Sequence, residues 1–190
     1  LNEKLMQSKI GTPIIYGDVF QLRHVASRKF LTVSTVELAT QERENMHVSC
    51  ILNGSPYSCL SIQPKISYTG ESGTIADNSE CYIRVIERPG EYLRCAKQDS
   101  KGGESNGEVN CSLERTAWTV NVFQNIKYPS KTVLTGSAIS LSDSETFSFL
   151  SINENDLMDE GLHSNASARG LMKPPVIVSG EQELHVTVNS

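Results

Sequence analysis

Apolar and polar residues alternate along most of this chain, and a period of two is the mark of strands with one buried face. Asp18-Val19-Phe20-Gln21-Leu22-Arg23-His24-Val25 alternates in this way. After the turn residues Ala26-Ser27-Arg28, the run Lys29-Phe30-Leu31-Thr32-Val33 predicts the returning strand. Met46 to Cys50 and Cys59 to Ile62 continue the pattern. Helix is scarce: Leu1 to Ile10 could close a short amphipathic helix, and Val36 to Glu44 could wind one or two turns.

The pattern then returns. Cys81-Tyr82-Ile83-Arg84-Val85, a turn at Pro89-Gly90 and Tyr92-Leu93-Arg94-Cys95 repeat the opening hairpin. Glu108 to Cys111 repeats Met46 to Cys50, and Ala117 to Phe123 repeats the closing strand of the first copy. A third copy runs from Gly136 to Leu141, through Phe147 to Ile152, and on to Glu183 to Val188. An aromatic-Leu pair marks each copy, as Phe30-Leu31, Tyr92-Leu93 and Phe149-Leu150, at intervals of 62 and 57 residues.

Breaker-rich links fall at 70–73, 100–103 and 128–130. The repeats therefore fall at about 16–66, 75–127 and 131–190, behind a leading segment 1–15. The third is divergent. Asn153 to Pro175 reads as a mobile acidic insertion carrying Glu154, Asp156, Asp159 and Glu160, and no Trp strand like that around Trp118 closes the copy. Three hairpin-bearing units of this size can close into a barrel with a triangular cap that leaves no sheet edge open. The fold class predicted is all-β, a β-trefoil. A two-sheet sandwich is the competing architecture, and the third unit could instead open a second trefoil.

The 190 residues carry 17 Lys and Arg against 22 Asp and Glu, a formal net charge of −5. A surface that tracks phosphates needs a basic excess, so no nucleic-acid partner is expected. No run approaches the roughly 20 apolar residues of a membrane span, and no leader is visible, so no membrane contact by this chain is expected either. The chain opens at Leu1 without Met and reads as a piece of something longer.

Chemistry-bearing patterns are few. Cys50, Cys59, Cys81, Cys95 and Cys111 are odd in number and lack C-x-x-C spacing, which predicts reduced, buried thiols. His24, His47, His163 and His185 stand at no metal-ligand spacing, and His24 and His185 lie inside predicted strands. Asp156, Asp159 and Glu160 lack the order of a calcium loop. Neither a nucleophile elbow nor a phosphate loop occurs. No enzyme, no metal and no cofactor is expected. Arg23, Arg28 and Lys29 cluster at the first turn, as an anion site or a solvated edge. Asn53, Asn110 and Asn165 each open a glycosylation sequon.

Tyr16-Gly17-Asp18-Val19-Phe20-Gln21-Leu22-Arg23-His24 followed by Lys29-Phe30-Leu31-Thr32-Val33 resembles the MIR repeats of inositol trisphosphate receptors. The likeness continues through Asn45-Met46-His47-Val48, Ile62-Gln63-Pro64, Gly107-Glu108-Val109-Asn110 and Ala117-Trp118-Thr119-Val120, covering roughly residues 10–150. It implies a MIR-type β-trefoil from the cytosolic amino-terminal region of a calcium-release channel. Such a module regulates and interacts rather than catalyses. Its partners would be other domains or subunits of the same receptor, a membrane-embedded homo-oligomer on the cytosolic face of the endoplasmic reticulum. The family's Arg-Thr-Thr-Gly-Arg loop is replaced here by Thr187-Val188-Asn189-Ser190, so no ligand residue carries over. The link after Lys65 lies near a neighbouring subunit in the family, which makes Lys65, Ile66, Tyr68 and Glu71 the candidate interface. MIR repeats also serve luminal glycosylation proteins such as O-mannosyltransferases, so recognition of carbohydrate or peptide in the lumen is the alternative.

Overall fold

The computed structural model describes residues 10–66, 73–96, 107–123, 131–152, 164–169 and 184–188. Twelve strands follow one another as β1 (Val19–His24), β2 (Phe30–Leu38), β3 (Met46–Ile51), β4 (Leu60–Pro64), β5 (Ser79–Val85) and β6 (Tyr92–Cys95), then β7 (Gly107–Ser112), β8 (Trp118–Val122), β9 (Ala138–Asp143), β10 (Phe149–Ile152), β11 (Ser164–Arg169) and β12 (Leu184–Val188). The predicted hairpins fall within these bounds. Alternation explains why: in β5 the burial reads in, out, in, out, in from Cys81 to Val85.

Six strands close on themselves. β1 pairs with β4, β4 with β5, β5 with β8, β8 with β9, β9 with β12 and β12 with β1, all antiparallel. The three remaining hairpins, β2–β3, β6–β7 and β10–β11, meet through β3–β7, β7–β11 and β11–β3. A two-sheet sandwich would leave edges; this ring has none. β12 stands where β4 and β8 stand in the first two units, so a strand without Trp fills the place expected of a Trp strand.

The core runs through the ring and under the hairpins. Phe20, Leu22, Leu60, Ile62, Ile83, Trp118, Val120, Ile139 and Leu141 are fully buried within it. The anchor leucines Leu31, Leu93 and Leu150 are all buried, and each contributes on the order of 2 kcal/mol by leaving water. Trp118 ties ring to cap, because its indole N–H donates to the Leu93 carbonyl at 3.1 Å.

The far end of the ring is tied by a cycle of backbone hydrogen bonds. Ile14 N–H donates to Val133 O at 3.0 Å, Val133 N–H to Ile75 O at 2.8 Å and Ile75 N–H to Ile14 O at 3.0 Å. The three side chains are fully buried. The end of the leading segment thus belongs to the barrel. Behind each comes the same turn: Asp18, Ser79 and Ser137 accept from the N–H of Ile15, Ala76 and Leu134, with Gly17, Asn78 and Gly136 at positive φ.

Two expectations are corrected. Val36 to Glu44 forms no helix: β2 continues to Leu38, with its register shifted between Val33 and Leu38, and bends come after it. The N–H groups of Val36 and Glu37 go to the Ser34 hydroxyl, that of Ala39 to the Asn45 carbonyl and those of Thr40 and Gln41 to Glu108, so these donors are engaged outside any helical ladder. Asn153 to Pro175 is not all insertion, since Ser164–Arg169 forms β11 and completes the cap. Leu1 to Lys9, the links at 100–103 and 128–130, and the acidic residues from Glu154 to Glu160 lie outside the described residues. Among the described residues the helical element is the 3-10 turn Pro56–Ser58, capped by the Ser55 hydroxyl.

Candidate interaction surface

Of the four residues proposed for the interface, two are described. Lys65 comes directly after β4 and pairs with Glu80, Nζ to Oε2 at 3.0 Å, which holds the Glu80 carboxyl below its usual pKa. Ile66 beside it is exposed. Tyr68 and Glu71 lie outside the described residues. The cations of the first turn are spread along the hairpin: Arg23 sits in β1, Arg28 is exposed at φ 61°, and Lys29 leads into β2.

The same strands that carry Lys65 position a face the sequence did not single out. Gln63 of β4 lies opposite Tyr82 of β5, and Arg84 of β5 lies opposite Tyr92 of β6. The period of two puts Tyr82 and Arg84 on one outer face. The two rings meet edge to face at 6.3 Å between centroids. Arg115, on the loop before β8, lays its guanidinium 5.3 Å from the Tyr82 centroid and 5.0 Å from that of Tyr92. The Tyr92 hydroxyl donates to the side-chain amide oxygen Oε1 of Gln63 at 3.4 Å.

A polar network under the cap was also unforeseen. Arg94, buried on β6, pairs with Glu42 at 2.9 Å and with Glu114. Glu42 accepts from the amides of Asn45 and Asn110. Glu108 accepts from the N–H groups of Thr40 and Gln41 at 2.9 and 2.6 Å, while Gln41 accepts from the N–H of Glu108. His47 lies 3.6 Å from the Glu108 carboxylate. These bonds staple the loop after β2 onto the second unit. Such partners are far apart in the chain, so no local pattern announces them.

The thiols are reduced, and burial pushes Cys50 and Cys81 up to about 12 and Cys95 up to about 11. A thiol held there is no nucleophile at neutral pH. Cys111 donates to Glu91 and Cys95 to the Ala96 carbonyl rather than to a histidine. His24 is fully buried, its Nδ1 bonded to Ser27 and its Nε2 without a partner, and burial lowers its pKa to about 4. Among the described residues no group of three or more His, Cys, Asp or Glu could hold a metal ion. Nor is any helix there long and apolar enough to cross a membrane.

Residues 2–128 match the family model described as inositol 1,4,5-trisphosphate/ryanodine receptor. The inositol 1,4,5-trisphosphate receptor of Caenorhabditis elegans is 27% identical over 164 residues, which is 80% of this chain and 6% of that receptor. Among solved structures, a protein O-mannosyltransferase complex of Saccharomyces cerevisiae bound to its sugar donor aligns over 96% of this chain and 26% of its own, with TM-score 0.71 and 15% identity. The SDF2-like protein of Arabidopsis thaliana aligns over 92% of this chain and 94% of its own, with TM-score 0.68 and 14% identity. At such identities the structural likenesses concern the fold, which is MIR-like.

Proposed function

The chain belongs to the inositol 1,4,5-trisphosphate/ryanodine receptor family, and from that premise we propose that it is a non-catalytic regulatory and interaction module of a calcium-release channel. On this reading it is a β-trefoil, with the third unit, from about 131 onward, closing the same barrel. The cyclic pairing of β1, β4, β5, β8, β9 and β12 supports that. The module stands on the cytosolic face of the endoplasmic reticulum membrane and contacts other domains or subunits of its own membrane-embedded homo-oligomeric receptor. Lys65, Ile66, Tyr68 and Glu71 form one such contact.

The observation that carries this reading is the family match over residues 2–128, together with a relative that is itself such a receptor. The chain spans only a small part of that relative. Recognition of a polyphosphate needs several convergent Arg or Lys donors, and of the four arginines described in the second unit, Arg88 and Arg94 are already engaged by carboxylates.

Deleting residues 10–190 from the parent protein tests the reading. The deletion is expected to change the ligand concentration that releases calcium while leaving a functional pore. Titration of this chain alone with inositol trisphosphate is expected to give no heat, and micromolar binding would overturn its regulatory role. A parent that transfers mannose and conducts no calcium would favour instead a luminal module recognising carbohydrate or peptide, the reading that the likeness to the mannosyltransferase fold keeps in view.

A further inference from the structure

The second unit has four described arginines, and they divide sharply. Arg88 pairs with Glu91 and Arg94 with Glu42 and Glu114. Arg84 and Arg115 have no carboxylate partner among the described residues, although the chain as a whole carries a net charge of −5. Both adjoin Tyr92: Arg84 as its cross-strand neighbour, Arg115 as the cation over its ring. Tyr82 stands beside both and is itself under Arg115.

We propose that Arg84, Arg115, Tyr82 and Tyr92 form a docking surface for an acidic segment of a partner protein, one that presents carboxylates to the two guanidiniums and an apolar or aromatic side chain to the rings. The inference deepens the interaction-module reading and rests on it. Three physical features favour this occupant. Tyr and Arg are among the residue types that carry binding energy in protein interfaces: Tyr covers much area with only two rotors to freeze, and the planar Arg fork meets a carboxylate with paired N–H donors. The Tyr82 and Tyr92 rings already hold the Arg115 guanidinium in place, so a carboxylate that takes its paired N–H donors meets a preorganised fork. The uncompensated charge on this face complements an acidic ligand. A nucleic acid would need a longer basic track than two arginines provide.

The test uses the whole chain and a fluorescein-labelled peptide of alternating glutamate and tyrosine, with a glutamine-tyrosine peptide as its neutral counterpart. Fluorescence anisotropy is expected to show binding of the glutamate peptide about tenfold or more tighter than of the neutral one, weakening with salt. The double variant R84Q/R115Q should lose about tenfold of that affinity. R84K/R115K should fall between, since lysine keeps charge but neither stacks nor forks. R28Q, an exposed cation of the first unit, should change nothing. Thermal melts show that each variant is folded; should R84Q/R115Q fail to fold, the lysine pair carries the comparison.

Equal affinity for the two peptides would overturn the proposal, as would an R84Q/R115Q variant that binds like the parent. Displacement of the peptide by millimolar inorganic phosphate would overturn it too, in favour of a generic anion site. If the R84Q/R115Q chain rejoins its receptor as well as the unchanged chain does, this surface fails while the module reading stands. If the unchanged chain binds the peptide yet has no effect in its receptor, the failure lies with the module reading.

Discussion

Ile14 donates its backbone N–H to the carbonyl of Val133 at 3.0 Å, which joins the first unit to the third. With Ile75 the pair makes a cycle of three hydrogen bonds, and each member contributes a fully buried side chain to one spot. Truncating any of the three therefore opens a cavity that the other two cannot fill. Ile14→Ala and Ile75→Ala are each expected to cost about 2–4 kcal/mol, and Val133→Ala somewhat less. Urea denaturation measures this; a loss below about 1 kcal/mol at Ile14 would mean that the leading segment is not part of the barrel.

Glu108 is a staple rather than a surface charge. Its carboxylate takes two backbone N–H bonds from the loop after β2, and the loop returns one through Gln41. Glu108→Ala should cost about 2–3 kcal/mol, since bonds to a charged acceptor are lost and two donors lose their partner. It should also expose the 38–45 loop to limited proteolysis. Glu108→Gln keeps an acceptor and should be milder. Unchanged protease resistance in the Ala variant would refute the role.

His24 makes stability depend on pH. Its folded pKa of about 4 lies below the ordinary 6.5, because burial penalises the imidazolium. As pH falls, the unfolded chain takes up the proton first. The contribution is thus fully present above about pH 6.5 and is lost as pH falls toward 4, by up to about 3 kcal/mol. Urea midpoints at pH 7 and pH 4.5 should differ more for the parent than for His24→Gln. Equal differences would place the titration elsewhere.

Asn110 and Asn53 separate the cytosolic and luminal readings cleanly. Asn110 is fully buried and its amide is bonded to Glu42, so no folded chain can carry a glycan there. Asn53 is exposed in the loop after β3. Directed into the lumen, the chain should gain a glycosidase-sensitive mass shift that N53Q reduces and N110Q leaves unchanged. A glycan on Asn110 in folded protein would contradict the burial. Glycan on Asn53 in the natural protein would place it in the lumen.

The strands were legible from local pattern because alternation, turn residues and the aromatic-Leu anchors are properties of neighbours in the chain. Phe30-Leu31, Tyr92-Leu93 and Phe149-Leu150 became equivalent positions with buried leucines, as their recurrence implies. A further repeat was present and unread: Pro13-Ile14-Ile15-Tyr16-Gly17-Asp18, Thr74-Ile75-Ala76-Asp77-Asn78-Ser79 and Thr132-Val133-Leu134-Thr135-Gly136-Ser137 share a buried aliphatic, a left-handed turn and a side chain that caps it. It would have placed the start of the first unit near residue 13. Ser164–Arg169 stayed hidden because its only apolar residues are Ala166 and Ala168, too small to give a strong alternation.

Only the tertiary structure could decide which distant groups meet. Glu108 and Gln41, Arg94 and Glu42, and Arg115 and Tyr82 lie in different loops and strands, and nothing local sets their distance. Sequence determined most of the strands and turns, since alternation and turn chemistry are properties of neighbours in the chain. Closure of the ring, the stapled loop and the arginine-tyrosine face come from how those elements pack, because burial and electrostatics act through space rather than along the chain.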